Sequence, residues 1–329
     1  MILITGGSGY LGRHIAGALL GKGHAVRILD VQTSPFIPPK AQFIKADMRD
    51  AEAVGKAVKG AEAVIHLAFI QSLSRRPLRE KWEINAVGTE IVLKAALKHK
   101  VRRLVNASTT ELYGARPPVP CTEEAPRDHP VGWYGRHKLH VERLLLKYLQ
   151  KGLESTSLRM PGVCGPGSYN HGPMLDIMDR IIAHKPVPMA GNGNIPASLA
   201  HYRDVADAFL LALDSPNAPG EAFNIATRAP ATHKSLLLAM KRAVRSRSPL
   251  IPASRGLTRI AVTAAVFAGL SSVPDHQVDY AFHPMHISIE KAARLLGYDP
   301  RHSAEDCARD QILGYLERRD FVRERNRTY

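Results

Sequence analysis

Near its start the chain runs ILIT, then GGSGYLG, then IAGALLGKG, so a short apolar segment meets a glycine-rich turn and then apolar residues at helical spacing. That order of strand, glycine turn and helix constrains the fold more than any other stretch. ILIT is β-prone and uniformly apolar, as expected of a parallel strand buried on both faces. Gly6 permits a tight turn, Gly9 lets backbone N–H groups approach a pyrophosphate, and Gly12 lets the helix pack close to the strand. Tyr10 and Leu11 occupy the start of that helix. The next apolar run, AVRIL, ends in Asp30, a carboxylate placed to accept hydrogen bonds from an adenosine ribose. It would repel a 2′-phosphate, and Val31 is not the arginine that would receive one. A dinucleotide is therefore expected on this edge, and NAD is favoured over NADP.

Three later segments fit the same pocket. AQFIKADMRD (41–50) has the look of a strand ending in Asp47, placed to meet an adenine amino group, with Met48 beside it. Asp47 could equally cap a helix over AEAVGKAV. AEAVIHLAF (61–69) is expected to be a fourth buried strand, with Leu67, Ala68 and Phe69 lying along the dinucleotide. VRRLVNAST (101–109) is the fifth, with Ser108 and Thr109 just beyond its carboxyl end, the edge where open α/β sheets bind ligands.

Tyr134 and Lys138 are four residues apart in a stretch that runs into HVERLLLKYL, so they share one helix face. A free tyrosine, with a pKa near ~10, is a poor base at neutral pH. An ammonium one turn away and a positive nicotinamide ring would favour the phenolate. Thr109, arriving from the strand end, could hydrogen-bond the oxygen that gains or loses the proton.

These residues carry a family resemblance. TGGSGYLG, Asp30, ADMRD, HLAF, INAVGT (84–89), ASTTELYG (107–114) and YGRHK (134–138) are similar to the extended short-chain dehydrogenase/reductases, the NAD-dependent epimerase/dehydratase group. LRMPGVCGPG (158–167), HYRDVADAFLLAL (201–213), GEAFNIAT (220–227) and ISIEKAARLLGYDPRHS (287–303) extend the likeness through the second half. The resemblance implies a doubly wound parallel sheet (a Rossmann α/β fold) over 1–165, with a strand near 220–227 returning to it. It also implies a smaller, interleaved substrate lobe over 166–329. Tyr134 would be the acid/base, Lys138 would hold both Tyr134 and the nicotinamide ribose, Asn85 would be a cofactor-side or supporting residue, and Pro161 a nicotinamide neighbour.

Glu111 raises the possibility of a second proton transfer. If the chain stays extended past the fifth strand, residues 109 and 111 share a face and Thr110 points away. The resemblance supplies a precedent, because sugar-nucleotide 4,6-dehydratases and UDP-glucuronate decarboxylases carry a Glu in a similar stretch; Glu111 could also simply tether a loop. The substrate half departs from sugar-nucleotide relatives. Gly162 stands where they usually have Asn, Ala197 where they tend to place an Arg, and Cys164 in place of an aromatic, although Arg203 could compensate. RGLTRIAVTAAVFAGLSSV (255–273), apolar on more than one helix face, resembles the hydrophobic segment of 3β-hydroxysteroid dehydrogenase-like members; it also suits ordinary core or a dimer surface.

The leading expectation is thus a nucleotide-sugar epimerase or dehydratase working through a keto intermediate. A dehydrogenase of a hydrophobic secondary alcohol is the alternative, and a non-catalytic NAD-binding regulator the third class.

The 329 residues are 45% hydrophobic, enough for a large core. The net charge of +15 fits either a preference for anionic ligands or an arginine-rich surface. The basic residues are spread along the chain apart from 241–247 and the tail, which is expected to fray, and no aromatic-interleaved nucleic-acid motif accompanies them. Cys121, Cys164 and Cys307 are scattered, as suits reduced thiols rather than disulfides or zinc. His283 and His286 have Pro284 between them and no partner acid, so no metal is expected. No secretory leader or spanning segment is read, so the expectation is a cytoplasmic protein with a small-molecule substrate and neither nucleic-acid nor membrane partners. The helical stretches 78–98 and 133–150 could pair across a two-fold axis through Val141, Leu144, Leu145, Tyr148 and Leu149, giving a homodimer.

Overall fold

The structure, a computed structural model, describes residues 1–168, 172–267 and 275–320. The first half alternates strands and helices: β1 (Ile2–Thr5), α1 (Tyr10–Gly21), β2 (Val26–Asp30), β3 (Gln42–Lys45), α2 (Ala51–Val58), β4 (Ala63–His66), α3 (Leu78–Trp82), a π-helical turn (Glu83–Gly88), α4 (Thr89–Lys98), β5 (Arg103–Thr109), α5 (Gly132–Leu149) and β6 (Glu154–Met160). The second half adds β7 (Gly162–Cys164), α6 (Gly172–Ile182), β8 (Val187–Ala190), β9 (Pro196–Ala197), β10 (Leu199–His201), α7 (Tyr202–Asp214), β11 (Ala222–Asn224), β12 (Ala231–Thr232), α8 (His233–Ala243), β13 (Leu250–Ala253), α9 (Arg255–Phe267), α10 (Asp275–Ala281), α11 (Glu290–Leu296) and α12 (Ala304–Glu317).

Seven strands form one sheet in the order β11-β6-β5-β4-β1-β2-β3, and every pairing in it is parallel. The chain begins in the middle, winds outward through β2 and β3, then returns past β1 to β4. The strand order therefore reverses between β1 and β4, where ligands enter folds of this kind. The expected doubly wound parallel sheet is what forms. GEAFNIAT supplies β11, which pairs with β6 from Ala222 opposite Ser157 to Asn224 opposite Arg159.

Both faces of the sheet are covered, which is why the central strands β1 and β4 are buried along their whole length. On one side Ile15 and Leu19 of α1 and Phe209 and Leu213 of α7 pack with Ile4, Ile28 and Ile65. On the other, Val54 of α2, Leu93 of α4 and Val141, Leu145 and Tyr148 of α5 pack with Leu3, Leu29 and Val64. Three members of the apolar set considered for a two-fold interface are thus buried within the chain itself. A third cluster joins α6, α8 and α12 through Met178, Ile181, Met240, Ile312 and Tyr315. Around it lie three two-stranded sheets, β7 with β10, β8 with β13 and β9 with β12. Among the described residues no helix is long and apolar enough to cross a membrane.

Two buried polar links fix the layers. His66, at the end of β4, bonds the Thr5 hydroxyl through Nδ1 at 2.7 Å and the Thr89 hydroxyl through Nε2 at 2.9 Å. Burial pushes its imidazole down to about 3, so it joins the sheet to α4 as a neutral ring. Arg103, buried at the start of β5, donates to Glu154 Oε2 at 2.7 and 2.9 Å. It also donates to the carbonyls of Ala212, Leu213 and Ser215 at 3.2, 2.8 and 2.7 Å, satisfying the end of α7. Arg103→Met would leave those carbonyls without their donor. It should cost about 2–4 kcal/mol of unfolding free energy, measured by urea denaturation, and a loss within experimental error would refute this account.

Candidate active site

The site is built along the carboxyl edge of the sheet. Gly6 turns the chain out of β1 with φ +69°, and a Cβ there would stand 2.6 Å from the Ala68 nitrogen. A Cβ on Gly12 would stand 2.5 Å from Gly7 Cα. The glycine loop and the Leu67-Ala68-Phe69 segment after β4 are therefore in close backbone contact at the reversal point. Gly9 precedes α1, where no side chain caps the helix and no acid lies in its first turn. The N–H groups of Tyr10, Leu11 and Gly12 thus face the helix start, an arrangement suited to a diphosphate. Asp30, at the end of β2, accepts from the Ser8 N–H at 3.0 Å and the Gln32 N–H at 3.3 Å. These residues fit an adenosine dinucleotide.

Other cofactor-side candidates are held differently from what the sequence suggests. β3 ends at Lys45, short of Asp47. The Asp47 carboxylate is clasped by the Arg49 guanidinium at 2.6 to 3.1 Å, which holds it below the usual carboxylate range. Asp47 is not the cap of α2; Asp50 is, accepting from the N–H groups of Glu52 and Ala53 at 3.0 Å each. Met48 is buried against the π-helical turn, so close that a Cβ on Gly88 would meet its Cγ at 2.7 Å. Asn85, in that turn, accepts from the Ile70 N–H at 2.7 Å, and its own carbonyl accepts from Thr89 at 2.6 Å. It supports the segment after β4. Tyr10 turns its ring toward His14, at 5.3 Å, and Tyr202, at 6.3 Å. Its buried hydroxyl has no hydrogen-bond partner among the described residues. Pro161 follows the last residue of β6 on the same sheet edge.

Ser108 and Thr109 are the last two residues of β5 rather than residues beyond it. Their side chains diverge, as the pleat requires. Ser108 donates to Glu142 Oε1 at 2.6 Å, while the Thr109 hydroxyl accepts the Glu111 N–H at 3.2 Å. That cap ends the extended run. Residues Thr110–Tyr113 form a 3-10 turn, so the expected extension that would align 109 with 111 does not occur.

The turn nevertheless brings Glu111 to α5. Its carbonyl accepts the Val131 N–H at 2.9 Å, and a Cβ on Gly135 would stand 2.9 Å from the same oxygen. Glycine after Tyr134 is what lets helix and turn touch. The Glu111 carboxyl is deeply buried, its Oε2 lacks a hydrogen-bond partner among the described residues, and burial pushes it up to about 7. Burial raises the Tyr134 phenol, and the neighbouring Glu111 charge adds to the rise. Tyr280 of α10 is raised by the same two causes, in the same order. Lys138 is not among the causes acting on Tyr134, so the lowering expected from it is not seen.

Lys138 is buried, donates to the Ala107 carbonyl at 2.6 Å, and lies 3.6 Å from the centre of the Phe69 ring and 5.8 Å from that of Tyr134. Burial brings its ammonium down to about 7, and the charge of Glu142 opposes that shift. The Phe69 ring also meets Tyr134 edge-on at 5.6 Å.

Sequence reading missed the group beneath the site. Glu142, one turn beyond Lys138, pairs with buried Arg159 of β6 at 2.7 and 3.0 Å. Arg159 also donates to the Tyr113 hydroxyl at 2.9 Å, which donates to Asn224 Oδ1 at 2.7 Å. The i, i+4 spacing from Lys138 to Glu142 was the available signal. Of the substrate-side positions, Gly162 begins β7 and Ala197 ends β9. Arg203 donates to the Tyr202 hydroxyl at 2.9 Å. Burial raises the Cys164 thiol to about 12, which suits packing rather than nucleophilic attack.

Among the described residues one cluster has metal-ligand character: ligand atoms of His201, Asp204 and His302 lie within 4.8 Å of one another. The two rings stack at 3.7 Å with 20° between planes, so their in-plane lone pairs do not converge. His302 Nδ1 already bonds Asp204 Oδ1 at 2.9 Å.

Residues 2–226 match the family model described as NAD dependent epimerase/dehydratase family. The chain belongs to that family. NAD is accordingly its cofactor. The chain is similar to a UDP-glucose 4-epimerase of Corynebacterium glutamicum, 31% identical over 239 residues that cover 65% of this chain and 71% of the other. It is also similar to a 3-beta-hydroxysteroid dehydrogenase of Mycolicibacterium neoaurum, 25% identical over 336 residues that cover 96% and 91%. Among solved structures, an epimerase of Methanothermobacter thermautotrophicus shares the fold, with a TM-score of 0.82 at 21% identity over 98% of this chain and 94% of that one.

The burial of Glu111 has a consequence for stability. A carboxyl raised to about 7 in the fold, against an ordinary value of 4.5, favours the folded state while protonated. That contribution is complete below about pH 4.5 and is lost as the pH rises through about 7. The stability of Glu111→Gln relative to wild type should therefore rise from pH 5 to pH 8 by up to about 3 kcal/mol. Thermal melts across that range check it, and a difference independent of pH would show that Glu111 ionises freely.

Proposed function

We propose that the chain oxidises a secondary alcohol, or reduces the matching ketone, with Tyr134 carrying the hydroxyl proton. NAD supplies the hydride acceptor when bound. Tyr134 would hold the proton at its phenolic oxygen, Lys138 would bias that oxygen toward the phenolate, and the Thr109 hydroxyl would orient the substrate oxygen. The observation that supports this reading is that Lys138 of α5 donates to the Ala107 carbonyl, two residues before Thr109 on β5, while Phe69 of the segment after β4 meets both Lys138 and Tyr134. Phe69 rests on Lys138 where the glycine loop and β4 meet, which keeps water from the ammonium.

For the substrate, the reading favoured here is a hydrophobic alcohol. Gly162 and Ala197 offer no side chain to grip a diphosphate. The likeness to the 3-beta-hydroxysteroid dehydrogenase runs through 96% of the chain, including the substrate half, whereas that to the UDP-glucose 4-epimerase covers 65%. A nucleotide-sugar epimerase or dehydratase is the second reading, and Glu111 is the observation that favours it. A buried carboxyl near neutrality beside Tyr134 is suited to a second proton transfer next to a transient ketone.

Tyr134→Phe should abolish turnover, followed by NADH absorbance, while NAD binding by calorimetry is kept; normal turnover in that variant would remove Tyr134 from the chemistry. The substrate readings separate in thermal melts of NAD-loaded protein with UDP, GDP, dTDP or CDP in excess. A nucleotide at about 100 times its dissociation constant stabilises the native state by about 2.7 kcal/mol, a shift of several degrees. No shift with any of the four is expected. A clear shift with one of them would reverse the order of the two readings.

A further inference from the structure

We propose that Tyr280 of α10 is a positioning residue for Glu111, its hydroxyl fixing the turn that carries the carboxyl and its ring closing the side that faces the second half of the chain. On the α5 side the Val131 N–H reaches the Glu111 carbonyl at 2.9 Å, and a Cβ on Gly135 would stand 2.9 Å from the same oxygen. The turn ends at Gly114, in the left-handed region with φ +91°, and the Gly114 N–H also reaches the Glu111 carbonyl, at 3.3 Å. The Gly114 carbonyl in turn accepts from the Tyr280 hydroxyl at 3.1 Å. The half-buried Tyr280 ring packs against a cluster that holds Leu112 and Tyr113 of the same turn, together with Cys121, Met285 and Ile287.

More than one bond keeps Tyr280 in place. The chain from 280 to 288 runs beside the chain from 114 to 121. His283 Nε2 meets the Pro117 carbonyl at 3.1 Å, the Cys121 N–H donates to the His286 carbonyl at 2.7 Å, and the Ser288 N–H donates to the Cys121 carbonyl at 2.9 Å. The phenol thus stands at one end of a fastened pair of segments, where the second half of the chain meets the Glu111 turn.

Enclosure decides the state of the carboxyl. Glu111 Oε2 is out of reach of solvent and has no hydrogen-bond partner among the described residues, so an ionised form would lack both water and donors. Burial is the one cause that pushes the carboxyl up to about 7. The titratable groups on which its charge acts are Tyr134 of α5 and Tyr280 of α10, and the Cys121 thiol acts on Tyr280 as well. Asp279, beside Tyr280, is taken up by Arg255 and Arg259 at 2.5 and 2.7 Å, with Arg116 also acting on it. An ionised Glu111 would oppose a phenolate at Tyr134. By keeping the acid dry and neutral, Tyr280 removes that opposition up to about pH 7. This consequence rests on the reading of Tyr134 proposed above, whereas the place of the Glu111 proton does not.

Infrared difference spectra of the full chain, recorded from about pH 4 to about pH 9, follow that proton directly. The protonated-carboxyl band of Glu111 is the one that Glu111→Gln lacks; Asp30 and Glu123, also raised by burial, are common to both proteins. Wild type should titrate near 7. Tyr280→Ala should bring the midpoint down by about one unit or more, a tenfold or greater change in the protonation constant. Tyr280→Phe, which keeps the ring, should stay within about half a unit of wild type. Should the alanine variant not fold, Tyr280→Leu should still lower the midpoint by about half a unit or more. A wild-type midpoint at the ordinary 4.5, or a midpoint near 7 in the variants without the ring, would overturn the proposal. So would a fall in Tyr280→Phe as large as that in Tyr280→Ala, since the ring would then exclude nothing. Normal turnover in Tyr134→Phe would leave these midpoints as they are, so this proposal and the reading of Tyr134 fail separately.

Discussion

The geometry of the candidate active-site edge depends on one buried ion pair, Glu142 with Arg159. It joins the middle of α5 to β6, and each partner is held from further directions. Glu142 also accepts from Ser108 of β5 at 2.6 Å and from Arg127 at 3.3 Å. Arg159 also donates to the Tyr113 hydroxyl at 2.9 Å and the Glu123 carbonyl at 3.0 Å. Tyr113 continues to Asn224 of the returning strand, whose N–H is in turn held by Glu123 Oε1 at 2.7 Å. Two charges buried without such partners would cost several kcal/mol each. Satisfied on all sides, they fix the rotation of α5 about its own axis. Lys138 and Tyr134 lie one and two turns back along that helix, so the pair sets where both side chains emerge relative to Thr109.

The electrostatics of the edge follow from burial more than from charge pairing. Glu111 and Lys138 are moved from opposite ends of the pH scale to about 7, in each case chiefly by loss of water. A protonated acid and a nearly neutral amine can therefore coexist beside a phenol without large net charge. A ligand that brings positive charge to this edge would find two groups, Glu111 and Lys138, whose protons move at little cost near neutrality. Phe69 contributes to that state, since its ring covers the Lys138 ammonium at 3.6 Å while the side chain remains part of the segment abutting Gly6.

What was legible in the sequence is what local pattern decides. The glycine loop, the apolar strands, Asp30 and the shared face of Tyr134 and Lys138 depend on spacings of a few residues, and the doubly wound parallel sheet followed from them. The path of the chain after Thr109 was not legible. An alternating strand and a 3-10 turn are both open to TELY, and the choice is made by the Thr109 cap together with Val131, twenty residues on, which takes the Glu111 carbonyl. Asp47 and Asp50 both precede a helix at capping distance, and Arg49 decides between them by clasping the first. The bond from Lys138 to the Ala107 carbonyl, and the paths leading from Glu142, cross between elements far apart in the chain. No periodicity reports such contacts.

The two substrate readings differ in little that belongs to the sheet. In the proposed reaction, hydride transfer at a secondary carbon would ask the same of Thr109, Tyr134 and Lys138 whether the rest of the substrate is a sugar diphosphate or an apolar ring system. Discrimination must come from the second half, where a diphosphate needs fixed positive charge and an apolar substrate needs surface without it. Gly162 and Ala197 remove side chains from two positions facing that choice, and Arg203 spends a bond on its neighbour Tyr202. The strong positive charge of the chain is therefore not gathered into a diphosphate grip at those positions. Part of it is gathered instead around Asp279, at the foot of an exposed apolar helix whose partner helix touches the Glu111 turn. The α10 contact is one of several by which the second half meets this edge, since Cys121 also pairs with the chain at His286 and Ser288, and Tyr113 with Asn224.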